Sequence, residues 1–321
     1  MKKTRATLVA LLIAFAMALT GCAQDTDVNQ GSGTGDPAAG GSIAQDYDLS
    51  GETYIVGSKE FTEQRILGHI ALAAIQAAGG EVSDKTGISG SATVRAALES
   101  GEIDLYWEYT GTGWVNYLGQ TTEDLPDDLF AAIQEADAEN GITWIGPSPL
   151  NNSYGLAVKS ELAEAEGLMT MSDIRPFLDA NPSENTICAA SEFLQRDDGL
   201  PGLEATYDVS FSVVELELAL IYTQIGSQCV FGEIFTTDAR VSANDLQPLE
   251  DDLQFFVPFN AAMTARTEVV ERNADFEALF AELAEALNNE KMMELNGMVD
   301  LEGATEAEAA RQFLQDEGFI D

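Results

Sequence analysis

The chain has 321 residues, 45% of them hydrophobic, enough for a packed core and for two domains or a two-lobed one. A formal charge of −40 and a pI near 4.1 repel nucleic acid and anionic headgroups and suit a cationic or zwitterionic ligand. With a single His, His69, and three Cys there is no Cys/His cluster for zinc, so neither a metal site nor a cofactor is expected.

Lys2, Lys3 and Arg5 precede an apolar run, Leu8 to Leu19, too short to span a bilayer comfortably. This reads as an export signal over residues 1–21. Leu19-Thr20-Gly21-Cys22 follows directly and resembles a bacterial lipobox, which implies cleavage before Cys22 and its lipidation. Residues 22–50, rich in Gly, Ser, Asp and Gln, read as a flexible tether.

The folded part begins near Glu52. Thr53–Gly57 reads as a buried strand. Ile66, Leu67, Ile70, Ala71, Ala74, Ile75 and Ala78 then mark one face of a helix, ended by Gly79-Gly80, with His69 partly buried in it. A strand is expected near Glu81–Thr86. A helix follows from an N-cap at Ser91 to Leu98, and a strand over Ile103–Glu108 with Asp104, Tyr106 and Glu108 alternating against apolar residues. This β-α-β-α-β opening is the pattern of a parallel sheet.

Pro126–Asn140 reads as a helix, Ile142–Ile145 and Asn151–Lys159 as strands, the latter at the crossing between lobes. Strands are expected near Thr186–Ala190 and Cys229–Ile234, with helices near Gly199–Tyr207 and Val213–Ile225. Ala261–Arg266 is one more strand. Helices over Asp275–Asn288, Glu290–Met298 and Thr305–Glu317 end the chain, the last with a capping box from Thr305 and Glu308. A chain that leaves one lobe, builds another and returns forms a cleft. The boundaries predicted are 51–152 plus 256–321 for lobe 1 and 153–255 for lobe 2.

Catalytic patterns are sparse. There is no GxSxG, no P-loop and no GxGxxG, and a nucleophile–base pair would have to use His69. Asp104 and Glu108, on one strand face, leave an acid hydrolase as a distant alternative to a non-enzyme. Cys188 and Cys229 either pair, as an exported protein permits, or stay as buried thiols. Tyr109, Tyr154, Phe235 and Phe259 fall at strand ends or in the loops after them. Aromatic faces there attract quaternary ammonium, although on spacing alone Phe235 and Phe259 read as core or hinge residues.

Six stretches in order, VGSKEFTEQRILG (Val56–Gly68), KTGISGSATVRAALESGEIDLYWEYTGT (Lys85–Thr112), NNSYGLAV (Asn151–Val158), EFLQRDDGLPGL (Glu192–Leu203), TTDARV (Thr236–Val241) and LEDD (Leu249–Asp252), together resemble the substrate-binding proteins of osmoprotectant ABC importers, the glycine betaine, choline and carnitine receptors. The resemblance implies an α/β, two-lobed periplasmic-binding-protein fold of type II-like form. It implies a lipid-anchored receptor on the outer face of the cytoplasmic membrane that hands its solute to an ABC permease and its ATPase. By motif it places Tyr109, Tyr154, Phe235 and Phe259 in an aromatic box, with Thr112 and Asn152 as polar contacts. Lys59 and Arg196 are placed near the ligand carboxylate, and Gln64 is a further candidate. Family members often carry Tyr where this chain has Phe235 and Phe259, so the box is expected to be drier. Choline-selective relatives often place an acid where this chain has Ser91-Ala92-Thr93, which argues for a betaine over choline. Choline, carnitine or another small zwitterion on the same fold is the alternative.

Overall fold

The computed structural model describes residues 40–122 and 125–321. The predicted export signal, Cys22 and residues 22–39 lie outside the described residues. The rest of the expected tether is not free. Gly41–Asp46 is a helix, α1, in which Ile43 is fully buried, as is Leu49 beyond it. The Ser42 and Ile43 N–H groups bond to the carbonyls of Gly318 and Phe319, and Leu49 N–H to Ala78 O at 2.7 Å. Ile43 and Leu49 anchor a segment whose Gly- and Ser-rich composition conceals them.

The strands follow in chain order as β1 (Thr53–Lys59), β2 (Glu81–Ile88), β3 (Leu105–Tyr109), β4 (Ile142–Ile145), β5 (Tyr154–Lys159), β6 (Thr186–Ala189), β7 (Ser212–Glu215), β8 (Phe231–Phe235), β9 (Leu246–Leu249) and β10 (Ala261–Arg266). They form two five-stranded sheets, ordered β2-β1-β3-β10-β4 and β7-β6-β8-β5-β9. Each has three parallel strands followed by an antiparallel strand that arrives from the other sheet, β10 in the first and β5 in the second. The two crossings run side by side. Asn151 bridges Asn260, and Phe259 N–H bonds to Asn151 Oδ1 at 2.8 Å.

Three expectations differ in detail. All five residues of β3 are buried, so its polar members do not face water. Leu105 and Trp107 belong to one apolar cluster and Tyr106 to another, as in a parallel sheet covered on both faces. The helix expected over Val213–Ile225 is strand β7 followed by a helix at Leu218–Gln224. The β-branched pair Val213-Val214 favours the strand. Ser91 does not cap the helix α3 (Ser91–Ser100). Gly90 holds that position with φ 84° and Ser91 is the first helical residue. The capping box at Thr305 and Glu308 is present on the helix Glu306–Asp316. His69 is half-buried on the helix α2 (Thr62–Ala77). Cys188 and Cys229 form a disulfide across 5.6 Å between Cα atoms.

Candidate functional site

The facing ends of the two sheets enclose a cleft of about 1280 Å3. Both sides supply aromatic rings. Tyr109 ends β3, Phe259 precedes β10, Tyr154 begins β5 and Phe235 ends β8, and the last two face each other in register. Tyr154 lies at the centre, its ring 5.0 Å from Phe235 and 5.6 Å from Phe259, edge-on to the latter. Phe61, in the turn between β1 and α2, closes the set. It stacks on Tyr109 at 6.4 Å and lies 5.1 Å from Phe235, so it joins the rings of both sheets. Sequence reasoning missed Phe61, although it too follows a strand end inside one of the matching motifs. Gly111, at the end of β3, lets Phe259 approach: a Cβ there would lie 2.5 Å from the ring.

Tyr109, Tyr154, Phe235, Phe259, Asn152, Thr112, Lys59 and Arg196 all line this cleft. Gln64 does not. It is fully buried, and its Oε1 accepts from Lys59 N–H at 3.2 Å, holding the β1–α2 turn. The two basic residues are not free to meet a carboxylate. Lys59 Nζ lies 2.6 Å from Glu108 Oε1, both buried, and 5.3 Å from the Tyr109 ring centre. Arg196 makes a two-pronged pair with Asp198 at 2.8 and 2.6 Å and a third contact with Glu192 at 3.2 Å. Its remaining N–H groups reach Thr112 Oγ1 at 3.4 Å and, with the Asn116 amide oriented to present its oxygen to the guanidinium, that oxygen at 2.8 Å. The guanidinium covers one face each of Tyr154 and Phe259. Arg240, also in the lining, pairs with Asp238 and with Asp300 across the cleft.

Three acids that the sequence did not single out organise the site. Glu63 on α2 is a buried hub. Its carboxylate accepts from Tyr109 Oη at 2.7 Å, Asn152 Nδ2 at 2.9 Å, Thr237 Oγ1 at 2.5 Å and Asn296 Nδ2 at 3.3 Å. Burial raises its pKa, opposed by those hydrogen bonds. Glu192 reaches across the cleft to Ser91, whose N–H and Oγ donate at 3.1 and 2.5 Å. Burial pushes its carboxyl up, but the charge of Lys59, the Ser91 bonds and Arg196 outweigh that and lower it. Glu233 on β8 lines the cleft with 1% exposure. In a chain with 55 acids no local pattern distinguishes these.

Asp104 and Glu108 do not form an acid pair. Asp104 binds Ile55 N–H and Arg266 before β3, whereas Glu108 near its far end binds Lys59 and the Tyr106 and Tyr117 hydroxyls. Among the described residues no cluster of His, Cys, Asp and Glu could hold a metal, and no helix is long and apolar enough to cross a membrane.

Two similar α/β sheets joined by paired crossings, with a ring-lined cleft between them, define a two-lobed solute-binding protein. Residues 52–316 match the substrate-binding domain of ABC-type glycine betaine transport systems, and the chain belongs to that family. It is 36% identical over 284 residues to a glycine-betaine-binding protein of Pseudomonas aeruginosa, covering 84% of this chain and 89% of that one. It is 31% identical to the Helicobacter pylori ergothioneine transport permease/ergothioneine binding protein EgtU, over 81% of this chain and 47% of that one. Apo YehZ of Escherichia coli superposes with a TM-score of 0.63 at 25% identity, over 84% of this chain and 99% of that one. A glycine betaine/carnitine/choline ABC transporter structure gives 0.68 at 22% identity over the same shares, a likeness of fold.

Proposed function

We propose that the chain is a receptor for a quaternary-ammonium compatible solute, glycine betaine first, which it presents to an ABC permease without chemical change. The ring cage drawn from both lobes carries this reading. A methylated ammonium offers no hydrogen-bond donor, so ring faces and apolar edges suit it, each face contributing about 0.5–2 kcal/mol. The Pseudomonas aeruginosa relative, glycine-betaine-binding by name, supports the same choice. We place the protein outside the cytoplasmic membrane, held by a lipid on Cys22 after removal of residues 1–21.

Calorimetric titration of residues 40–321 with glycine betaine, choline, carnitine and ergothioneine tests the ligand. Saturable binding of betaine, weakened about tenfold or more by Tyr154→Ala, is the expected result. Silence with all four ligands overturns it. The anchor is tested by detergent-phase partition of the full chain, which Cys22→Ala should abolish.

A further inference from the structure

The cleft needs a partner for the ligand's second end, and its basic residues are already engaged. Lys59, Arg196 and Arg240 each lie in an ion pair with an acid of the protein. A carboxylate entering beside the rings would therefore have to break one of these pairs or find a neutral donor.

Glu233 is placed to be that donor. It lies two residues before Phe235 on β8, hence on the same face of the sheet, and pairs across to Leu156, two residues after Tyr154. One oxygen, Oε2, accepts from Ala190 N–H at 2.7 Å. Among the described residues the other oxygen, Oε1, has no hydrogen-bond partner and no basic group lies within ion-pairing distance, although the side chain lines the cleft with 1% exposure. A carboxyl so buried, with one backbone donor and no counter-charge within ion-pairing distance, holds a proton more readily than an exposed one.

We propose that Glu233 is a specificity-determining residue: as an uncharged acid it donates from Oε1 to the carboxylate of a betaine-type ligand. This rests on the reading of the cleft as a quaternary-ammonium site. The groups facing Glu233 are consistent with it. Burial and the Glu192 carboxylate raise its pKa, the Ala190 N–H and Arg196 lower it, and the outcome is about 8. Tyr154 from β5 is pushed well above 10, Glu192 is lowered and Arg196 is raised, so none of these neighbours titrates between pH 7 and 9. On the opposite face of β8, Tyr222 is likewise raised and bonds to Phe235 N–H.

The test is calorimetry on the wild type and Glu233→Gln between pH 7 and 9, with glycine betaine and with choline. For the wild type, betaine affinity should fall about tenfold from pH 7 to 9 as the donor is lost, and choline affinity should not fall. Neither ligand's ammonium titrates in this range. At pH 8 betaine binding should take up protons, read as a difference in heat between phosphate and Tris. Glu233→Gln keeps both an acceptor for Ala190 and a donor for the ligand, so it should retain betaine affinity within about threefold at pH 7 and lose the pH dependence. Wild-type betaine affinity that is flat to pH 9, or a Glu233→Gln profile as steep as the wild type, overturns this assignment alone. Absence of betaine and choline binding by the wild type at pH 7 overturns the proposed function and this assignment with it.

Discussion

Thr237→Val isolates what holds the cleft shut. Thr237 is fully buried, follows β8 in the second lobe, and lies outside the lining of the main cleft. Its Oγ1 donates to Glu63 of the first lobe at 2.5 Å. The other donors to Glu63 sit on β3, on the crossing segment and on the helix Asn289–Asp300 that packs on α2. Opening the lobes breaks the Thr237 bond and leaves those others to Glu63. Valine keeps the volume and removes the hydroxyl. A hydrogen bond to a charged group is worth about 1.5–3 kcal/mol, and here it acts on the closed state alone. Ligand affinity should therefore fall about ten- to a hundredfold although Thr237 touches no ligand. Titration calorimetry gives the affinity, and urea unfolding of the ligand-free protein gives the control. Unchanged affinity would refute the closing role. So would a loss of ligand-free stability as large as the loss in binding, because the hydroxyl would then be supporting the fold generally.

Lys59→Met leaves Glu108 buried without its cation, and urea unfolding should show a loss of about 3–5 kcal/mol. If betaine binding drops and stability does not, Lys59 serves the ligand instead. Replacing both Cys188 and Cys229 by Ala opens a loop of 41 residues' separation and should cost about 4 kcal/mol of stability on the chain-entropy estimate, with ligand affinity retained. Raising NaCl from 0.05 to 1 M should change betaine affinity by less than about threefold. A tenfold loss would mean that the acidic surface, which salt screens, attracts the ligand more than the rings do.

The architecture was legible because alternation and helical spacing are local signals. β1, α2 and the ending helices follow from them within a few residues. The exceptions are instructive. Residues 213–225 are apolar enough to read as one helix, and the break is set by pairing of β7 with β6, which is a contact between distant residues. β9 carries Pro248 and survives as an edge strand beside β5, where a missing N–H is tolerated. Motif and position at strand ends both pointed to Tyr109 and Tyr154, whereas Phe235 and Phe259 were reached by motif alone. Gln64 was misplaced because it shares a motif with Lys59 while its side chain turns inward. Glu63, Glu192 and Glu233 were invisible because their roles lie in their partners. Glu63 meets Thr237 across 174 residues and Glu192 meets Ser91 across 101.

The same acids bear on how so negative a chain would hold the neutral zwitterion proposed above. Its surface charge is solvated, but its buried carboxyls are each balanced in place. Glu108 and Asp198 are balanced by Lys59 and Arg196, Glu63 by four donors, and Glu233 by a proton in the arrangement proposed above. Around the buried rings, then, no cation stands unpaired, while Glu192 shares Arg196 with Asp198 and the exposed carboxylates of Glu60, Asp197, Glu215 and Glu217 line the same cleft. A free carboxylate beside the rings would favour simple cations, and a free ammonium or guanidinium would favour simple anions. With the cations paired and Glu233 protonated as proposed, discrimination beside the rings passes to ring faces at one end and to a neutral hydrogen-bonding group at the other. That combination rewards a solute carrying a methylated ammonium and a carboxylate together. It also rejects water at the ring end, because a ring face is a poor substitute for the hydrogen bonds that water would lose there.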